Sequence, residues 1–325
     1  MSTHSLAWRR RAATAFLALL TALGGGLLSA APSDAHLASQ ASPPIPADEL
    51  AREAARAART LEERPVAPPQ RVLEAAAPIQ QLPQTAEFEI ASFNILGASH
   101  TGDGNKRGAG WVPRLAMTAG IITSSGADVV GLQEVQPQQH AGLRQQLRGW
   151  ELYPGPGAGR EAGANAIAWN TGVFELVSAT TFDIPYFRGR YRPMPLVQLR
   201  HRTSGRTFWM LNTHNPADAW GPAQQWRDQA LRIEITLINR LRNETGLPVF
   251  LTGDMNDREE FFCPITEQAP VHAANGGTTG EGCALPPKPR VDWILGSLDV
   301  SFTDYSDFDN RASDHPYVIA RALLG

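Results

Sequence analysis

Polar side chains at the ends of apolar segments constrain this chain more than any other feature of its sequence. Five segments have this form, and a sixth places a carboxylate inside an apolar run. Short apolar runs of this length are typical of buried strands, so we expect the polar groups at strand ends. The segments are Ser92-Phe93-Asn94, Leu132-Gln133-Glu134, Asn212-Thr213-His214, Thr252-Gly253-Asp254-Met255-Asn256, Ser313-Asp314-His315 and, with the internal carboxylate, Val291-Asp292-Trp293-Ile294.

The composition is that of a globular protein with a substantial core. Of the 325 residues, 42% are hydrophobic and 19% are charged, which allows one large domain or two small ones. The formal net charge is −3, so the chain has no global basic field. Tight, non-specific nucleic-acid binders are usually more positive than this.

Residues 1–35 have the pattern of an export signal. Arg9, Arg10 and Arg11 precede an apolar stretch over 12–28, and small residues follow up to Ala35. A retained membrane anchor is the alternative, although three consecutive glycines weaken the stretch as a spanning helix. We therefore expect a protein that is secreted after signal cleavage.

Residues 36–86 have the composition of a linker, and the folded domain is expected over 87–325. The linker is rich in Ala and Pro, which is typical of a tether. Residues 47–64 favour a helix, but its weak apolar face predicts only a marginal one.

Cys263 and Cys283 are the two cysteines of the chain. An exported protein meets an oxidising compartment, which favours a disulfide between them. Two free thiols are the alternative. The bond would stabilise the folded state by about 3 kcal/mol in the chain-entropy treatment.

Periodicity across the folded domain predicts an α/β protein. Helical spacing covers 111–125, 137–147 and 222–242, and a hairpin signal lies at 203–205. Some strands are joined by hairpins and others are separated by helices. This order predicts two packed mixed sheets with helices outside. The strand patterns lie at 88–93, 127–135, 166–169, 174–181, 195–202, 206–213, 248–252, 291–295 and 316–322.

The carboxylates and amides of these segments suit metal-assisted hydrolysis. Asp254 and Asn256 are two apart, so in extended structure they project from one face. Glu134 follows a buried strand and needs a partner, for which a hard cation is one solution. Asn94 could add a neutral oxygen to the same ion. Turn-forming roles are the alternatives for Asn94, Asp254 and Asn256.

His214 and His315 are the acid–base candidates among the eight histidines, because each lies at a strand terminus beside polar residues. Asp292 could accept a hydrogen bond from a histidine and fix its tautomer, as in hydrolytic triads. Arg190 and Arg192, together with Asn212, are weaker candidates for contacts to substrate phosphate. A solvated loop is the alternative for the two arginines.

The six segments, in this order, resemble the motifs of the endonuclease/exonuclease/phosphatase superfamily, and the resemblance covers 87–325. It implies a four-layer α/β sandwich of two mixed β-sheets packed face to face with helices outside. It also implies Mg²⁺ or Mn²⁺ held by Asn94, Glu134 and Asp314.

The same resemblance implies a division of labour. Asp254 would orient or activate the attacking water, and Asn256 would contact the phosphate. Asp292 would orient His315, and His214 would stabilise the pentacoordinate transition state. Which group acts as the general base is left open.

Differences from particular branches of the superfamily narrow the range of candidate substrates. Abasic-site endonucleases of the superfamily usually have an acidic residue at the position of Leu96, which argues against that branch. The 5-phosphatases have a second histidine motif that 215–218 lack, so that branch is also disfavoured. A secreted nuclease acting on DNA or RNA is slightly favoured, because the Cys263–Cys283 placement resembles secreted deoxyribonucleases. A sphingomyelinase-like phospholipid phosphodiesterase is the alternative, with Trp220 and Phe261-Phe262 as membrane contacts.

A catalytically silent binding module is the third hypothesis. We expect a monomer without an obligate protein partner.

Overall fold

The structure is a computed structural model that describes residues 85–101, 108–280 and 282–325. The predicted export signal over 1–35 lies outside these residues, as does nearly all of the predicted linker over 36–86. The first strand begins at Ala86, one residue before the predicted start of the domain. No helix within the described ranges is both long and apolar enough to cross a membrane.

The described residues form twelve strands in two six-stranded sheets. Sheet 1 has the order β11-β12-β1-β2-β4-β3, and sheet 2 has the order β5-β6-β7-β8-β10-β9. Both sheets are mixed, because β1–β2 and β7–β8 are parallel and the other pairs are antiparallel. The strands are β1 (Ala86–Asn94), β2 (Val129–Gln133), β3 (Trp150–Tyr153), β4 (Asn165–Asn170), β5 (Phe174–Pro185), β6 (Tyr191–His201), β7 (Thr207–His214), β8 (Val249–Asp254), β9 (Val271–Ala273), β10 (Asp292–Ser297), β11 (Val300–Phe308) and β12 (Tyr317–Leu324).

Helices cover the outer faces of both sheets. Sheet 1 packs against α1 (Trp111–Ser124) and α2 (Pro137–Gln146), and sheet 2 packs against α4 (Gln224–Thr245) and α5 (Glu259–Gln268). A short helix, α3 (Gly159–Ala162), precedes β4. The helices contribute apolar stripes at helical spacing, such as Leu231, Ile235 and Ile238 of α4.

The two sheets share an aromatic core. Along β1 the side chains alternate, so Phe88 and Ile90 face sheet 2 while Ala91 and Phe93 face the helices. The Phe88 ring lies 5.0, 5.1 and 5.7 Å from the rings of phenylalanines in β5, β7 and β8. The predicted four-layer α/β sandwich of two mixed sheets with outer helices is therefore confirmed.

The predicted disulfide between Cys263 and Cys283 is present, with the two Cα atoms 5.8 Å apart. It ties α5 to the segment that precedes β10. Phe261 and Phe262 are each only 1% exposed and pack in the core of sheet 2, because α5 turns them inward. Their expected contact with a membrane is therefore wrong.

Asn212 joins the two sheets and does not reach a substrate. It is fully buried, and its Nδ2 donates to Leu132 O at 2.9 Å and Ala166 O at 3.1 Å in sheet 1. Its Oδ1 accepts from Gln133 Nε2 at 2.6 Å. A Cβ at Gly131 would collide with the Asn212 side chain, so this glycine allows the close approach. The assignment of Asn212 to substrate phosphate is corrected to a bridge between sheets.

We predict that Asn212→Ala lowers the free energy of unfolding by about 2–4 kcal/mol, because it leaves several buried polar groups unpaired. Urea denaturation measures this. Asn239→Ala is the matched control, since Asn239 donates one surface hydrogen bond to Gln268 O. A loss at Asn212 no larger than that of the control would contradict the bridging role.

Candidate active site

The strand register brings the predicted polar side chains to one end of the two sheets. Asn94 pairs with Gln133 between the parallel strands β1 and β2. In sheet 2, Asp254 has His214 as its register partner on one side and Asp292 on the other. Because both sheets end at the same place, the two sets of side chains meet across the sandwich.

Asn94 connects the sets. Its Nδ2 donates to Glu134 Oε1 at 3.1 Å and to Asp254 Oδ2 at 3.0 Å. Its Oδ1 accepts from the backbone N–H of Leu96 at 3.0 Å. The amide nitrogen, and not the oxygen, therefore faces the carboxylates. Its oxygen accepts one hydrogen bond from its own loop and keeps a second lone pair, so the role of Asn94 as an oxygen ligand stays a prediction.

Glu134 lies just beyond β2 in a left-handed conformation with φ of 61°. This conformation is strained for a glutamate, and such strain is typical of functional positions. Its Oε2 accepts from Gly97 N at 2.8 Å. Burial works to raise the pKa of Glu134, but His214 and the hydrogen bonds from Gly97 and Asn94 lower it overall. Burial also lowers the pKa of His214, which leaves that histidine neutral at pH 7. The hydrogen bonds from Gly97 and Asn94 therefore offset the burial of Glu134 and keep it ionised at neutral pH.

Asp254 is the centre of the site. Its side chain is 1% exposed, and three nitrogen atoms lie within 3.5 Å of its oxygen Oδ2. These are Asn94 Nδ2 at 3.0 Å, His214 Nε2 at 3.4 Å and His315 Nε2 at 3.5 Å. The other oxygen accepts from Asn256 N at 3.0 Å. The arrangement leaves the carboxylate fixed in orientation beside both histidines.

Asp292 and His315 form a close pair, as the sequence predicted. Both carboxylate oxygens of Asp292 lie 3.0 Å from His315 Nδ1. Burial raises the pKa of Asp292 to about 6, against the lowering effect of the His315 hydrogen bond. Burial works to lower the pKa of His315, but Asp292, with Asp254 and Asp314, raises it to about 10. At neutral pH the pair is therefore an imidazolium held by a carboxylate.

His214 differs from His315 in its protonation state. Burial lowers the pKa of His214, despite the charges of Asp254 and Glu134, so its imidazole is neutral at pH 7. The hydroxyl of Tyr186 lies 3.4 Å from His214 Nδ1, and burial raises the pKa of Tyr186, so the hydroxyl keeps its proton. If the tyrosine donates, His214 presents Nε2–H to Asp254. Nothing in the sequence around Tyr186 indicates this role.

The predicted phosphate-contacting arginines lie on the same side of the site. The Arg192 guanidinium is 3.8 Å from the centre of the Tyr186 ring, which places it near His214. Arg190 is exposed at the start of β6. The structure therefore brings Arg192 to the rim of the site, while Arg190 lies on the surface beside it.

Asn256 and Asp314 occupy the two loops that complete the site. Asn256 has φ of 51°, a left-handed conformation that asparagine tolerates, and its Nδ2 donates to Asn215 O at 2.8 Å. Asp314 is exposed, and its charge acts on His315. The Ser313 hydroxyl donates to Asn94 O at 2.6 Å, which fixes the Asp314 loop against β1.

Arg114 is a positioning residue that sequence reasoning missed. It is 1% exposed, and its Nη1 donates to Ile95 O at 2.8 Å and to Ala312 O at 2.9 Å. It therefore ties the loop after Asn94 to the loop before Asp314. Burial lowers the pKa of Arg114, while Asp314 and Glu134 raise it, so both candidate metal ligands lie within its electrostatic reach. The sequence shows only an arginine in a helical pattern.

Glu234 is a second group that sequence reasoning missed. It lies fully buried on the apolar face of α4, behind the strand end that carries His214. Among the described residues neither of its carboxylate oxygens has a hydrogen-bond partner of good geometry. Thr213 and Asn215 lie close enough to lower its pKa, but their donors are directed toward Met255 Sδ. Burial dominates and raises the pKa of Glu234 to about 7.

The residues of the site include the hard oxygen donors that a divalent cation prefers. Glu134 stays ionised and is 21% exposed, and Asp314 is exposed in the loop that Ser313 fixes against Asn94, so hard oxygen donors border the site. A second group, Asp254, Asp292 and His315, has its donor atoms within 4.8 Å of one another. Because both Asp292 oxygens face His315 Nδ1, we assign this second group to acid–base chemistry.

Paired acid–base residues beside hard oxygen donors, at the junction of two stacked mixed sheets, define a phosphoester hydrolase. Residues 91–315 match the Endonuclease/Exonuclease/phosphatase family, and this match covers more than half of the chain. The chain therefore belongs to that family. The superfamily resemblance seen in the six sequence segments is confirmed.

Solved structures agree on the fold. An endonuclease/exonuclease/phosphatase from Bacteroides vulgatus has a TM-score of 0.60 at 20% identity, covering 74% of this chain and 100% of that one. A mannosyl-6-phosphatase from Bacteroides thetaiotaomicron gives 0.55 at 19%, covering 73% and 100%. TDP2 from D. rerio, complexed with single strand DNA product, gives 0.56 at 15%, covering 74% and 100%. No curated protein sequence matches the chain significantly.

Glu234 generates a prediction about pH. Because its pKa is raised from 4.5 to about 7 on folding, the folded state binds the extra proton. Its contribution to stability is greatest below pH 4.5 and falls as pH rises to about 7, by roughly 3 kcal/mol in total. Glu234→Gln removes this slope, so the variant gains stability relative to the wild type at pH 8 but not at pH 4.5.

Urea denaturation at several pH values measures the difference between variant and wild type, which cancels the contributions of other groups. Glu244→Gln, an exposed change on the same helix, should keep the wild-type pH dependence. A Glu234→Gln variant whose stability follows the wild-type pH curve would show that this carboxyl does not titrate as described.

Proposed function

We propose that the protein is an exported, divalent-metal-dependent phosphodiesterase that cleaves its substrate by metal-assisted attack of water, with nucleic acid as the favoured substrate. The observation that carries the proposal is the convergence of Asn94, His214 and His315 on one buried oxygen of Asp254. A carboxylate fixed in this way can orient a water molecule and accept its proton.

The histidines supply complementary functions. His315, protonated through its pair with Asp292, carries a positive charge that can stabilise negative charge growing on a phosphoryl oxygen or a leaving group. His214, neutral and oriented by Tyr186, can donate a hydrogen bond from Nε2. Asn256 lies beside Asp254 and is suited to contact the phosphate.

Glu134 and Asp314 would hold the cation, with Asn94 orienting Glu134 through Oε1. Bound Mg²⁺ or Mn²⁺ would polarise the phosphoryl group and screen its charge. Asp254, Asp292 and His214 are buried, which lowers the effective dielectric constant around them and strengthens the electrostatic interactions of the site.

Support for a nucleic-acid substrate comes from Arg192 at the rim of the site and from exposed arginines beside it, since arginine forks match phosphate oxygens. Export is supported by the signal pattern over 1–35 and by the disulfide, which suits an oxidising compartment.

A substrate panel tests this proposal. Purified protein would be offered plasmid DNA, RNA, sphingomyelin and bis-p-nitrophenyl phosphate, with Mg²⁺, Mn²⁺ or EDTA. We expect hydrolysis of DNA or RNA and of the small diester, loss of both with EDTA, and recovery on adding metal. Hydrolysis that is insensitive to EDTA would reject the metal mechanism, and activity on sphingomyelin alone would reject the nucleic-acid assignment.

We predict that Asp254→Asn lowers kcat/KM for bis-p-nitrophenyl phosphate by about 10³-fold or more, because the variant keeps the shape but loses the proton acceptor. Asp299→Asn is the control, since Asp299 forms its ion pair with Arg242 at 2.9 Å beyond the other end of β10. Its kcat/KM should stay within about twofold. Near wild-type activity of Asp254→Asn would remove Asp254 from the chemistry.

A further inference from the structure

An aromatic surface leads away from His214. The Tyr186 ring packs edge-on against the imidazole with the centroids 5.8 Å apart, and Phe187 follows at 4.4 Å from Tyr186. Phe187 in turn lies 6.2 Å from Trp220. The series ends in an open groove of about 350 Å³, which Phe187, Arg188, Trp220 and Trp226 border. We call this the aromatic groove.

Trp220 is presented to solvent on a fixed turn. The turn is closed by Asp218, whose Oδ1 accepts from Ala223 N at 2.8 Å and from Arg227 Nη1 at 3.0 Å. Arg227 Nη1 also donates to Pro216 O at 3.0 Å. The turn is therefore held at both ends, yet the Trp220 side chain is 65% exposed. A large aromatic side chain that is held on a fixed turn and still mostly exposed can serve as a stacking platform.

The backbone of Arg188 and Gly189 forms the opposite wall of the groove. Arg188 and Gly189 both have positive φ, of 59° and 72°. A Cβ on Gly189 would lie 2.8 Å from the Trp226 ring, so glycine lets the backbone approach that ring closely. The left-handed Arg188 places its guanidinium 5.0 Å from the centre of the Trp220 ring.

The charge around the groove is positive. Arg188 and Arg190 are exposed beside it, and Arg192 stacks on Tyr186 between the groove and His214. The acidic group on the Trp220 turn, Asp218, is paired with Arg227 at 3.0 Å. Aromatic rings interleaved with arginines bind unpaired bases by stacking and their phosphates by charge.

We propose that the aromatic groove binds a nucleobase of a single-stranded nucleic acid, next to the phosphodiester that the site cleaves. This proposal rests on the proposed phosphodiesterase function and adds a preference for single strands, because only an unpaired base offers its face to Trp220. A phospholipid is the less suitable occupant. One exposed tryptophan covered partly by an arginine does not form the apolar patch that membrane insertion requires.

The proposal is tested by comparing two substrates with the holoenzyme in Mg²⁺. One is a fluorescent single-stranded oligonucleotide, and the other is bis-p-nitrophenyl phosphate, which has no base. In Trp220→Ala we expect the ratio of kcat/KM for the oligonucleotide to kcat/KM for the small diester to fall by about tenfold, as expected for one lost stacking contact. Trp220→Phe should restore most of the ratio.

Leu298→Ala is the control, because Leu298 is 68% exposed like Trp220 but lies beyond the far end of β10. Its ratio should equal that of the wild type. An unchanged ratio in Trp220→Ala, with the wild type active on both substrates, would overturn the groove proposal and leave the phosphodiesterase function standing. A wild type inactive on the small diester and on the oligonucleotide would instead overturn the proposed function.

The lipid reading is tested with the same variants and sphingomyelin–phosphatidylcholine vesicles. If Trp220→Ala loses vesicle binding while its oligonucleotide ratio is unchanged, the groove is a membrane contact and the nucleobase proposal is wrong. Absence of vesicle binding by the wild type, together with the tenfold fall in the ratio, supports the nucleobase proposal.

Discussion

The rest of the site depends on the side-chain amide of Asn94, which lies between two carboxylates from different sheets. Its Nδ2 contacts Glu134 Oε1 and Asp254 Oδ2, and its oxygen is held by Leu96 N. Two carboxylates at this separation would repel each other without a shared donor. The amide supplies that donor without adding charge, so one carboxylate can serve a cation while the other faces the histidines.

Buried polar groups behind the site keep the sheets in register. Asn212 links β7 to β2 and β4, and Arg114 links the loops after Asn94 and before Asp314. These groups cost desolvation free energy, which their hydrogen bonds offset. The desolvation cost of an ionised Glu234 is not offset in the same way, since burial raises the pKa of Glu234 to about 7. Burial of Glu234 therefore costs stability at neutral pH, behind the strand end that carries His214.

Much of this could be predicted from sequence, because strand ends and helical stripes are local patterns. The four layers, the Asp292–His315 pair and the disulfide follow from such patterns or from the superfamily resemblance. The short strands β3 and β9, the irregular β11 and helix α5, which contains Pro264, lack a clear local signal. Asn212, Tyr186 and Arg114 acquire their roles only through partners distant in sequence, so no local pattern identifies them.

A double-mutant cycle on Asn94 and Asp254 tests the central claim most directly. The measured quantity is kcat/KM for bis-p-nitrophenyl phosphate in Asn94→Ala, Asp254→Ala and the double variant. If Asn94 acts mainly by orienting Asp254, the double variant should be little slower than Asp254→Ala, although Asn94→Ala alone costs about 10²-fold and Asp254→Ala alone about 10³-fold or more. Losses that multiply in the double variant would show that the two residues act independently and would contradict this account.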